Sequence, residues 1–169
     1  VNVRPPRAGI AHADRTRRDP SGRLRGVQLW TALPDPARKG KASFEHVDEA
    51  PKVELGGSVA TVFAGALGGA VCQAQYFSPI VGADVAIHPG ERTVVPLNRK
   101  FEHALLVLSG DCRIELEQAV PHMLYYLGSH RAEIALSSAS GARVLLVGGA
   151  PFTEKILMWW NFVARTTDE

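Results

Sequence analysis

The chain lacks several things, and each lack removes a class of function. No apolar run approaches the roughly 20 residues that a membrane-crossing helix needs. No N-terminal stretch shows the basic, apolar and small-residue succession of a secretory signal. Only two cysteines occur, Cys72 and Cys112, and they form no CxxC pair. The expectation is two free, buried thiols in a reducing cytoplasm rather than a disulfide framework. Helical periodicity is scarce: no stretch of about twelve residues repeats convincingly at a period near 3.6. A Ser-His-Asp pattern, a P-loop and a dinucleotide fingerprint are all missing. GALGGA (65–70) has the glycines but no strand–loop–helix context, so it reads as a turn.

What is present is enough apolar material for a core: 46% of 169 residues. The net charge of +2 hides an asymmetry. Residues 1–41 hold ten Arg/Lys against three Asp, and the remaining nine Arg/Lys face fourteen Asp/Glu. A basic segment of this kind suits phosphate or an acidic partner, or it is a solvated Arg-rich loop. No aromatics are interleaved for base stacking and no arginine stripe lies on a helix, so direct nucleic-acid binding is not expected. The sequence opens on Val1, and VNVRPPRAG carries no capping signal. This start reads as a fragment or as an unusual beginning.

Short apolar runs recur, bounded by Gly, Pro, Asp or Ser, which predicts an all-β sandwich or barrel. They are GVQLWTAL (26–33), VATVFAGAL (59–67), VCQAQYFSPI (71–80), ADVAIHPG (83–90), HALLVLSG (103–110), CRIELE (112–117), HMLYYLG (122–128), AEIALSS (132–138) and ARVLLVGG (142–149). In ADVAI, Val85 and Ile87 share a face. In CRIELE, Ile114 and Leu116 are expected to face inward. Gly110-Asp111 reads as a hairpin turn and Pro89-Gly90 as another turn. Residues 34–52 have a connector's composition. The plan is an incomplete β-unit (1–33), a linker (34–52), a compact β-barrel or jelly roll (53–150) and a C-terminal tail (151–169).

His12 and Asp14 are the first candidate chemistry. On an extended segment, residues i and i+2 point to one side, so an imidazole and a carboxylate would be presented together. That pair suits iron(II) or a similar divalent ion. Alone, HxD is a weak motif, and an exposed loop pair is the simpler reading.

Larger stretches resemble the pirin family of bicupins. RAGIAHAD with LRGVQLWTALPD (7–35) is similar to the end of the family's first barrel, and FEHVDEAPKVEL (44–55) to the inter-barrel connector. VFAGALGG (62–69), SPI (78–80), FEHALLVLSGD (101–111), MLYYLG (123–128) and RVLLVGGAPFTEKILMWWNFVART (143–166) resemble the second barrel and its tail. The resemblance implies an all-β cupin fold, with one complete C-terminal barrel and part of an N-terminal one. It implies Fe(2+) held by a His-x-His pair and a later His-x-Glu. His12 and Asp14 match the later pair, with Asp14 one methylene shorter than the family's Glu. The early pair has no counterpart here. Two donors rarely hold iron(II), so this chain is expected to bind it weakly or not at all.

By the same resemblance, the implied activity is that of an iron-dependent quercetin 2,3-dioxygenase acting on a flavonol-like molecule. The metal would serve as Lewis acid, and Asp14 would be a candidate base. The alternative is a non-enzymatic module that binds a regulatory protein partner, such as a transcription factor or a metabolic enzyme. In either case the chain is expected to be a monomer, or to self-associate weakly through exposed strands. His103 heads a segment where a cupin places metal ligands, but the two histidines and glutamate needed there are not all present. It reads as a structural or hydrogen-bonding residue. His122 reads as an exposed turn residue, and His46, His88 and His130 as loop residues. Trp30, and one of Trp159 and Trp160, read as core. Asp111 and Glu102 read as surface carboxylates without an evident partner.

Overall fold

A computed structural model describes residues 2–3, 26–160 and 162–169. Two compact units are present. The first comprises Glu45–Pro151 with Asn2–Val3. The second includes 26–44 and 152–169. In the first unit the described strands are β1 (Asn2–Val3), β2 (Glu45–His46), β3 (Lys52–Glu54), β4 (Ser58–Leu67), β5 (Ala70–Val71), β6 (Ile80–Ile87), β7 (Arg92–Pro96), β8 (Glu102–Gly110), β9 (Cys112–Ile114), β10 (Glu117–Ala119), β11 (Leu124–Gly128), β12 (Glu133–Ser137) and β13 (Ala142–Gly149). The second unit carries a 3-10 turn over Asp35–Ala37 and the hairpin β14 (Leu157–Trp159) and β15 (Phe162–Ala164).

The all-β expectation holds, and its cause is the period-2 alternation. In β4, Ser58, Ala60, Val62 and Ala64 point inward. In β8, His103, Leu105 and Val107 do so, and in β6 Val85 and Ile87 share the buried face. Among the described residues, two larger antiparallel sheets result, beside the short β1–β2 pair. One has the order β11-β8-β13-β6-β4-β3, and the other β10-β9-β12-β7. Their inner faces close on Leu105, Ile134, Leu136, Leu146 and a set of valines, as in a jelly roll. The two sheets are also pinned by a buried polar pair. Ser58 Oγ donates to Thr93 Oγ1 at 3.0 Å, and Thr93 donates onward to the Leu55 carbonyl.

Turn chemistry explains the connections. Gly68-Gly69 closes the β4–β5 hairpin with both φ angles positive (57° and 91°), as a two-residue loop requires. GALGGA is thus the turn its composition predicts. Pro89-Gly90 is a turn as expected, with Glu91 N–H donating to the His88 carbonyl.

Several expectations are corrected. Gly110-Asp111 is not a hairpin. β8 pairs with β11 and β13 in one sheet while β9 pairs with β10 and β12 in the other, so this is a corner between sheets. CRIELE is not one strand. The chain reverses at Glu115-Leu116, with Glu115 at φ 54°, so Ile114 is buried but Leu116 stands 82% exposed at the tip. VCQAQYFSPI is mostly irregular between β5 and β6. GVQLWTAL forms no strand, and Trp30 is 55% exposed, because no segment among the described residues pairs with it. β7, which composition did not single out, buries Thr93 and Val95.

In the second unit Arg165 organises the tail. Its Nε donates to Asp35 at 3.0 Å and its Nη2 to the Leu33 carbonyl at 2.6 Å, with its guanidinium 6.0 Å from the Phe152 ring. Trp159 and Trp160 are both exposed, at 74% and 85%. The expectation of one buried tryptophan fails because the reversal of β14 into β15 passes through Trp160, at φ 54°.

Candidate functional site

His12 and Asp14, the sequence-derived ligand pair, lie outside the described residues. The remaining histidines are described. His122 and His130 are exposed turn residues with positive φ, as expected for His122. His46 lies in β2, where its ring nitrogens meet Asn2 Oδ1 at 2.6 Å and Asp48 Oδ1 at 2.8 Å. Among the described residues, no group of three or more His, Cys, Asp or Glu side chains is placed to hold a metal ion.

His103 is different. It lies at the start of β8, 2% exposed, and is one of the residues bordering a cleft of about 540 Å³, although neither ring nitrogen is accessible from it. The cleft opens at one end of the two-sheet unit, where the end of β4, the start of β6 and the end of β7 converge. Its walls include Leu67, Ala74, Tyr76, Val81, Leu97 and Phe101, and no charged side chain among the described residues lines it. The imidazole reaches this position because of a glycine. A Cβ on Gly148 of β13 would sit 2.7 Å from His103 Cδ2 and 2.6 Å from the Glu102 carbonyl oxygen. The VGGAP run therefore clears room for the ring, a signal that sequence reasoning passed over.

Both ring nitrogens of His103 are buried and without a hydrogen-bond partner among the described residues. Burial pushes its pKa below the ordinary histidine value, so the ring is neutral at physiological pH. Phe101 is its aromatic neighbour, with ring centroids 6.1 Å apart. Ser78, Tyr76 and Asn98 are further polar groups along the cleft, and the last two carry hydrogen bonds. Tyr76 donates to the Phe63 carbonyl at 2.8 Å, and burial pushes its phenol up to about 12. Asn98 Oδ1 accepts from the Lys100 amide at 3.0 Å. Sequence reading expected His103 to be a structural or hydrogen-bonding residue. It is buried, but it makes no such bond with a described residue.

Asp111 and Glu102 correct the expectation of unpartnered carboxylates. Asp111 accepts from Ser138 Oγ (3.0 Å), the Ala139 amide (2.9 Å), the Ser140 amide (3.0 Å) and the Ser140 hydroxyl. Glu102 accepts from Tyr126 O–H at 2.8 Å. Both thiols are free and buried, as expected.

Comparison with known proteins places this fold. The Pirin C-terminal cupin domain matches residues 82–169. A provisionally named quercetin 2,3-dioxygenase of Pseudomonas aeruginosa is 38% identical over all of this chain, which covers 53% of that protein. A pirin-like protein of Caulobacter vibrioides is 27% identical over 95% of the chain, covering 57% of its own length. The crystal structure of a quercetin 2,3-dioxygenase from Acinetobacter baumannii superposes with a TM-score of 0.77 at 37% identity, over 82% of this chain and 46% of that one. The chain thus spans about half the length of the curated relatives it matches. A two-sheet β-unit with this match over more than half the sequence is a cupin domain, and the chain belongs to the pirin family.

Proposed function

We propose that the chain is part of a pirin-type bicupin whose intact form is an iron-dependent oxidoreductase of the quercetin 2,3-dioxygenase type. The end-to-end similarity to the Pseudomonas protein of that name carries the reading. Residues 1–33 correspond to the last part of a first cupin barrel, 34–52 to the connector, 53–150 to the second barrel and 151–169 to a tail. His12 and Asp14 are the two iron ligands this sequence contributes, and Asp14 is also the candidate base. The setting is cytoplasmic, which suits two free thiols.

The donor set does not complete an iron site. His12 and Asp14 supply two donors, and no cluster among the described residues supplies the rest. Iron(II) stands low in the affinity order of divalent metals and is lost readily from such a partial set. Asp14 also reaches one methylene less far than a glutamate would, and metal–oxygen distances tolerate only about 0.2 Å. The 169-residue chain alone is therefore inactive on a flavonol.

Elemental analysis of the purified chain after iron(II) loading and desalting tests this. Far less than one iron per chain and no consumption of quercetin are expected. One tightly held iron per chain would overturn the incomplete-site reading. In a chain extended to the length of its relatives, iron-dependent quercetin opening is expected, with loss in His12→Ala. Persistence of that activity in His12→Ala would remove His12 from the site.

A second reading, a non-enzymatic module binding a regulatory protein, is favoured by one observation. Met158, Trp159, Trp160 and Phe162 on the β14–β15 hairpin are 66–85% exposed, a cluster of large apolar groups of the kind that marks binding surfaces. A specific protein partner retained by the parent and lost by Trp160→Ala, with no turnover by the extended iron-loaded chain, would favour it.

A further inference from the structure

The second unit has no core of its own. None of its described residues, 26–44, 152–160 and 162–169, is buried. Its large apolar side chains stand in solvent instead: Leu29 and Trp30 about half, and Met158, Trp159, Trp160 and Phe162 for the most part. A contiguous cluster of this kind marks a surface that something covers. The backbone adds a second sign. Trp160 holds φ at 54°, a conformation that bulky residues rarely adopt and that persists only where the surroundings over-determine it.

The tail already has one contact, and that contact points to the occupant. Arg165 donates to Asp35 and to the Leu33 carbonyl, Arg38 donates to Glu169 at 2.6 Å, and the Asp35 amide donates to Glu154 at 3.4 Å. These bonds tie residues that follow the second barrel to the junction of the first-barrel segment and the connector, 119–132 positions earlier. The hairpin is continuous with this contact. The Pirin C-terminal cupin domain matches 82–169, and the chain spans 53% of the Pseudomonas relative. On the bicupin reading proposed above, on which this inference rests, the length of that relative with no counterpart here is the rest of the first barrel. An anionic bilayer fits the hairpin less well. The tail carries Glu154, Asp168 and Glu169 against Lys155 and Arg165, so it has no cationic excess for headgroups.

We infer that residues 152–169 serve the first barrel rather than the second. In the intact protein the β14–β15 hairpin docks on the first barrel, which covers Met158, Trp159, Trp160 and Phe162, while Arg165 anchors the base of the tail. The C-terminus of one barrel thereby holds the other.

The test compares the 169-residue chain with one extended to the length of its relatives, by hydroxyl-radical footprinting read by mass spectrometry at the four hairpin side chains. They should oxidise readily in the short chain and lose most of that oxidation in the extended one, at any protein concentration. Trp159→Ser should leave the urea midpoint of the short chain unmoved, because the side chain is in solvent there, and should lower that of the extended chain. Footprinting of the parent decides the matter if that variant fails to fold. Full oxidation of the hairpin in the extended chain would overturn the proposal. So would protection that vanishes on dilution, which assigns the surface to a second copy, or protection that needs an added protein partner. The bicupin enzyme reading fails separately. An extended chain that protects the hairpin but opens no quercetin with iron keeps the docking and loses the activity. One that opens quercetin with its hairpin exposed keeps the activity and loses the docking.

Discussion

Asp111 shows how much one carboxylate can organise. The Ser140 hydroxyl, then the backbone amides of Ala139 and Ser140, then the Ser138 hydroxyl hold its carboxyl well below the usual carboxylate range. A depressed folded-state pKa stabilises the fold above the unfolded value, near 3.9, and that contribution fades as pH falls from there. The parent's urea midpoint should therefore drop on acidification below about pH 4, and Asp111→Asn should be less stable at neutral pH with a shallower acid dependence. Identical pH profiles for the two would refute this. The sequence could not reveal these partners, because they lie 27–29 residues away and meet Asp111 only at the corner between sheets. Cys112 makes a second case. Burial, then the charge of Asp111, pushes its thiol up to about 11. It should resist alkylation near pH 8 in the native chain and react once urea unfolds it, because the thiolate is the nucleophile. Fast native labelling at Cys112, read by mass spectrometry, would contradict the burial.

At the scale of elements, two glycines in one run carry different burdens. Gly65 sits in β4 at φ 62°, and a Cβ there would lie 1.8 Å from the Ile80 carbonyl oxygen. Gly65→Ala should cost more than about 3 kcal/mol, because the clash is with backbone of the neighbouring strand. Gly69, in the β4–β5 turn at φ 91°, has open space around it, so Gly69→Ala should cost only about 1 kcal/mol of backbone strain. Equal losses in chemical denaturation would show that the strand contact is not what matters. Residues 26–33 pair with no strand among the described residues. Their amides should exchange with solvent far faster than those of β4, β6, β8 and β13. Slow exchange over GVQLWTAL would mean that it is paired after all. Alternation made the long strands legible, but CRIELE misled because a reversal at Glu115-Leu116 keeps the same polar–apolar rhythm as a continuing strand.

At the scale of the molecule, the two sheets of the first unit share one core. Leu105, fully buried on β8, is central to it. Leu105→Ala should cost about 2–5 kcal/mol, lost transfer energy plus a residual cavity. A loss under about 1 kcal/mol, measured by urea titration, would mean that the core collapses to fill the space. The sequence by itself determined the all-β class, the Gly-Gly turn, the free buried thiols and the family resemblance. Each of these depends on local periodicity, on backbone preferences at single residues or on motifs contiguous in the chain. Only the tertiary structure decided which sheet each strand joins, that Leu116, Trp30 and Trp159 face solvent, and that His103 is buried without a hydrogen-bond partner among the described residues. These depend on contacts between strands far apart in sequence. Pairing register and the space left by Gly148 are properties of neighbours across the sheet, which no one-dimensional pattern carries.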